Sequence, residues 1–212
     1  MRSIYIYLGV FFLLFAGSLF MDFHYSPGNT RPIDATAFRQ THLEKKTMME
    51  DYMEGFRDSI LSHGIGGLNT DIYEGLSQIY HNKGLAFFIY GSHELRYWSV
   101  NSIPLPELDT LRNETVEQLG NGWYYIKQMR CDSFRVMGVE LIRKTYSYEN
   151  QYLNNAFQDD FRLPGTVRIV KDPAEGLAIE DEDGSYLLSL TPSVYQLGKT
   201  PGYYVSVVLF LT

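Results

Sequence analysis

Gly122–Thr145, GWYYIKQMRCDSFRVMGVELIRKT, decides the fold of this chain. Trp123 to Arg130 alternates between bulky apolar and polar or smaller residues, Cys131-Asp132-Ser133 supplies a turn, and Phe134 to Thr145 alternates again. A period of two sends successive side chains to opposite faces of a strand, so Met137, Val139 and Leu141 share one face while Val136, Gly138 and Ile142 share the other. The stretch reads as a central antiparallel hairpin that carries the core.

Moving toward the N-terminus, Leu85 to Tyr90 is a continuous apolar run, Gly91 to Glu94 a turn, and Leu95 to Val100 an answering strand. Pro104 and Pro106 break that pattern, and Leu108 to Leu119 returns to helical spacing as a surface segment. Before the first hairpin, Asp34 or Thr36 can cap a long helix reaching about Ser62. Met49, Tyr52, Met53, Phe56 and Ile60 recur on it at spacings of three and four, opposite Lys46, Glu50, Asp51, Glu54, Arg57 and Asp58. Gly64 ends it, and a shorter helix follows from Asn69 to about Tyr80. Toward the C-terminus, Tyr148 to Phe157 reads as a short helix. Thr166–Val170, Leu177–Ile179 and Tyr186–Leu190 read as edge strands, with Asp181 to Gly184 as a solvated hairpin turn. The class is therefore α+β: a long amphipathic helix packed on a five- or six-stranded antiparallel sheet.

Both ends are apolar. Ile4 to Met21 holds no charge between Arg2 and Asp22, and its 18 residues would extend about 27 Å as a helix, close to the thickness of a bilayer core. We read residues 1–21 as a transmembrane helix; a cleaved signal peptide with Ala16-Gly17-Ser18 at its cut site is the competing reading. Residues 22–33, with Pro27-Gly28 and Pro32, form a connector, and 34–202 form the globular body. Tyr203 to Leu211 is again uncharged and is expected to be the start of a second membrane helix, truncated in 203–212, or else a final buried strand. Arg2 weakly places the N-terminus in the cytoplasm, so the body is expected in a bacterial periplasm, held at the inner membrane.

The net charge of −7, with no basic cluster, argues against nucleic acid as a partner. None of the five histidines falls into a metal-gathering spacing, and Gly64-Ile65-Gly66-Gly67 fails as a phosphate loop because Asn69 stands where a third glycine belongs. His42 and His63 read as ordinary helix and cap residues. Asp181, Glu182 and Asp183 lack the later glutamate of a calcium loop, Ser92-His93-Glu94 lacks a nucleophile elbow, and Cys131 has no evident activating base. No enzyme, metal or cofactor is expected for this chain. A small-ligand pocket would need apolar walls and a few polar groups, which Trp98, Asn101, Trp123, Tyr125 and Arg135 offer near the sheet, although strand aromatics ordinarily serve packing.

The order of elements then resembles a known family. An apolar N-terminal helix, a long amphipathic helix, GLAFFIYGSHELRYWSVNSIP, GWYYIKQM and DSFRVMGVELIRKTYSYENQYLNNAF, followed by a new apolar segment, looks like the input region of bacterial membrane sensor histidine kinases. The strings YWSVN and YSYENQYL add to the likeness with PAS-like sensor modules often called Cache domains. The resemblance implies a PAS/Cache-like sheet that holds a small-molecule or envelope signal, a homodimer, and a cytoplasmic kinase that passes the signal to a response regulator. The expected function is signal sensing for a two-component system. A membrane-anchored envelope binding or structural protein, or an anchored enzyme, are the alternatives.

Overall fold

In the computed structural model the described residues are 33–67, 70–91, 94–105, 111–131 and 133–192, together with Tyr5, Gly9, Phe11, Phe15 and Gly17. The chain divides into two units, one spanning Asp34–Thr191 and one formed from Met1–Ile33 and Pro192–Thr212. In the second unit the five described N-terminal positions are helical, and the Phe11 and Phe15 rings stack with centroids 6.2 Å apart. The rest of the first apolar run, and the whole of Tyr203–Leu211, lie outside the described residues. Among the described residues no helix is long and apolar enough to cross a membrane.

The body begins with α1, Ala35–His63. Asp34 caps it by accepting the Ala37 N–H at 2.9 Å, and Gly64 closes it with a φ of +73° while donating to the Ile60 carbonyl at 2.7 Å. α2, Thr70–Lys83, leads into β1, Leu85–Gly91, and β2, Glu94–Trp98. Then come β3, Glu114–Leu119, β4, Gly122–Arg130, and β5, Phe134–Lys144. These five form one antiparallel sheet in the order β2-β1-β5-β4-β3, so the hairpin Gly122–Thr145 does supply the central strand and its neighbour.

Both faces of this sheet are covered, which is why β1 is apolar without alternation and buried throughout. On one face α1 lies across β5. Gly138 makes this approach possible: a Cβ there would sit 2.6 Å from Met49 and 2.7 Å from the Met53 sulfur. Phe56 and Tyr52 of α1 pack on Phe87 of β1 with centroids 5.4 and 5.3 Å apart. On the other face Ala86, Phe88, Tyr90, Tyr124, Ile126, Met137, Val139 and Leu141 make a core closed by Ile103, Leu111 and Tyr80 of α2.

Three expectations are corrected. The late strands do not extend the main sheet: β6, Val167–Val170, β7, Leu177–Glu180, and β8, Tyr186–Pro192, make a separate sheet in the order β6-β8-β7. Residues 114–119, expected within a helical surface segment, are the edge strand β3, paired to β4 from Glu114–Lys127 to Leu119–Gly122. Tyr148–Phe157 is not a helix. The Asn150 side chain accepts the backbone N–H groups of Tyr152 and Leu153, and Asn155 takes that of Tyr146, so amide side chains replace the helical bonds. Phe157 packs inward as expected, bridging to Arg143, whereas Tyr148 and Tyr152 are exposed.

Candidate functional site

The buried stripe of α1 runs Phe38, His42, Lys45, Met49, Met53, Phe56, Ile60, at steps of three and four. Its C-terminal part is apolar and meets Gly138; its N-terminal part carries two ionisable groups into the interior. His42 Nδ1 lies 2.7 Å from Glu140 Oε2 of β5, both side chains having no solvent exposure. His42 Nε2, Glu140 Oε1 and the Lys45 ammonium have no hydrogen-bond partner in the structure. Burial holds Lys45 below the ordinary lysine range, against the opposing attraction of Glu140 and Asp160.

A second tier of charge flanks this pair. Lys46 donates to Asp181 at 2.6 Å and to Glu114 at 3.2 Å, and Lys127 bonds Glu50 at 2.6 Å and Glu114 as well. Tyr125 gives its hydroxyl to Glu114 at 3.0 Å while its ring meets His42 edge-on at 4.8 Å. Arg39 donates to the carbonyls of Glu180 and Asp181 at 2.8 and 2.9 Å, tying α1 to the small sheet. Burial pushes the Asp181 and Glu114 carboxyls up, but their lysine partners more than reverse this and both lie below the usual carboxylate range. Burial, reinforced by Glu114, drives the Tyr125 phenol far above its ordinary value, so it is a neutral donor at any physiological pH.

Among the described residues, clefts open from this layer at two places. One, of about 400 Å³, lies along β3 and is lined by Glu114, Glu117, Tyr125, Lys171, Asp181 and Tyr186 among others. The other, of about 680 Å³, runs beside the N-terminal half of α1, from Ala37 to Met48, against Lys83 and the 3-10 turn Asp159–Phe161 with Arg162.

Of the residues singled out from sequence, Tyr125 enters the ionic layer and alone lines either cleft. Trp123 precedes it by two on β4 and is buried opposite Arg143. Trp98 and Arg135 sit opposite Phe88 and Tyr90 of β1, with Trp98 half exposed and Arg135 donating to Gln128 at 3.2 Å. Asn101 is exposed just beyond β2. The five are not brought to one place. Two further readings are corrected: His42 is no ordinary helix residue but half of a buried pair, and Asp181 is no solvated turn residue, because Lys46 draws it inside with only 4% exposure. The signal that would have found this layer is positional, since His42 and Lys45 fall on the apolar stripe of α1 and Glu140 falls on an inward position between Gly138 and Ile142.

No protein-family model, curated protein or solved structure matches the chain. Among the described residues no group of three or more His, Cys, Asp or Glu side chains could hold a metal ion.

Proposed function

We propose that the body is the signal-sensing input domain of a membrane-anchored sensor histidine kinase, with a PAS/Cache-like sheet. The observation that carries this reading is the strand order β2-β1-β5-β4-β3, in which the last strand is central and a long helix precedes the first. That order supports the PAS-like reading without depending on any single side chain. A second feature agrees with it. The element that leads back in sequence to the apolar run Ile4–Met21 is α1, and α1 rests on the central strand partly through titratable groups rather than through an apolar seam alone.

A seam of paired charges favours discrete arrangements, because each ammonium must find a carboxylate and intermediate positions leave charges buried and unpaired. A signal that changes the partners of this layer would bias α1 between two seatings, and α1 would transmit the shift as a small slide or rotation. Such a sensor requires a cytoplasmic kinase encoded downstream. Sequencing the reading frame past Thr212 should reveal a membrane helix completed from Tyr203, then a phosphoacceptor histidine helix and an ATP-binding domain. A stop codon at that point would sink the kinase reading and leave an anchored envelope binding protein.

A further inference from the structure

We propose that the 680 Å³ cleft beside α1 binds a small monocarboxylate, whose carboxylate accepts a hydrogen bond from Lys45 and pairs with Lys83. This supplies a ligand to the sensing reading without depending on the kinase.

Lys45 lines the cleft, is only 3% exposed, and its ammonium has no hydrogen-bond acceptor. Its nearest carboxylate oxygen, Asp160 Oδ2, stands 3.6 Å away, beyond hydrogen-bond length, and the same oxygen is 3.4 Å from the Lys83 ammonium. Two ammonium groups thus share one carboxylate. The Phe161 ring, with its centroid 4.5 Å from the Lys45 nitrogen, steadies the charge but gives the N–H groups no oxygen. A buried ammonium without acceptors is a costly arrangement, and a ligand carboxylate would supply the hydrogen-bond acceptor that neither Asp160 nor Glu140 provides. It would also raise the Lys45 pKa that burial now depresses. A water molecule could accept from Lys45, but it would leave the charge count unchanged.

The rest of the lining sets the class. Glu44, Asp159 and Asp160 line the cleft together with Lys45, Lys83 and Arg162, so its charges are already mixed and a ligand with a single negative charge is favoured over phosphate, sulfate and di- or tricarboxylates. Met48 and Phe161 offer apolar surface for a short hydrocarbon body.

The test uses the full chain in lipid nanodiscs with lysines carrying 13C at the ε carbon, titrated with butyrate and, separately, with inorganic phosphate and citrate. Butyrate should shift the Lys45 and Lys83 signals saturably and move the Lys45 titration to higher pH, while phosphate and citrate produce no saturable change. Lys45→Met should weaken butyrate binding at least about tenfold, since a hydrogen bond to a charged group is lost. Its melting temperature should hold or rise, because a buried charge is replaced by an apolar side chain of similar length. Lys83→Met, at a half-exposed site, should weaken binding about threefold without a change in melting temperature, and serves if the first variant misfolds. The proposal is overturned if butyrate gives no saturable shift, if phosphate or citrate compete equally, or if binding survives in both variants.

Discussion

At the scale of single residues, the buried pair His42–Glu140 sets the character of the site. Each partner is sealed from water, and each keeps one further polar atom unpartnered. Such a pair contributes little net stability, because the desolvation of two ionisable groups offsets their attraction, yet losing one partner strands the other. Glu140→Leu alone should therefore destabilise the body by about 3–5 kcal/mol, whereas the double variant His42→Leu/Glu140→Leu should return to within about 1–2 kcal/mol of the parent. Urea unfolding followed by the fluorescence of the buried Trp123 measures both. Additive losses in the double variant would show that the pair is not coupled. If the pair is kept for signalling, the double variant should be stable but deaf, with α1 locked by an ordinary apolar seam.

At the scale of elements, the second tier makes the seating of α1 sensitive to acid. The Asp181 and Glu114 carboxyls lie below their usual values, so the unfolded chain binds protons at a higher pH than the folded one does. Their contribution is thus fully present above an unfolded-state pKa of about 4 and is lost as pH falls through the lower folded-state values. Unfolding midpoints between about pH 7 and pH 2 should fall steeply only at the acid end. Lys46→Met removes the partner of Asp181 and one partner of Glu114, so the variant should be weaker at neutral pH, and the acid-end fall should flatten. An unchanged pH profile in that variant would mean that Lys46 does not hold these carboxyls down. The same elements show what the sequence could tell. Period-two alternation located β4 and β5, and the continuous run located β1, because burial on one or both faces writes itself into hydrophobicity. β3 was hidden since ETVEQL buries only Val116, and a mostly solvated edge strand carries the same polar residues as a helix surface. Residues 148–157 misled because tyrosine and leucine at helical spacing outweighed the asparagines, whose side chains take over the backbone bonds. Site chemistry is harder still: Tyr125 is legible as an aromatic, but the layer it joins depends on partners far apart along the chain, as in Lys46 with Glu114 and Asp181, 68 and 135 residues away.

At the scale of the whole molecule, the membrane-anchored reading proposed above predicts which side of a membrane the body occupies. Asp34–Thr191 is one unit, with the ionic layer, both clefts and the two sheets inside it. Its two ends connect in sequence to the two uncharged runs, Ile4–Met21 and Tyr203–Leu211. A single folded unit of this size, with Asp181 buried against Lys46, is expected to lie on one side of a bilayer, so both junctions should report the same side. On that proposal, the lone Arg2 ahead of the first run would keep the N-terminus in the cytoplasm and the body would be exported. Fusing alkaline phosphatase after Pro27 and after Thr200 should therefore give active enzyme at both sites, and β-galactosidase fused at the same sites should be inactive. Cytoplasmic reporting at both sites would remove the envelope setting and with it the case for an external signal. Opposite reporting at the two sites would contradict the body as a single folded unit. The expected result would instead leave both clefts facing the outside, where a small carboxylate reaches Lys45 without crossing the membrane and only the motion of α1 has to be carried inward.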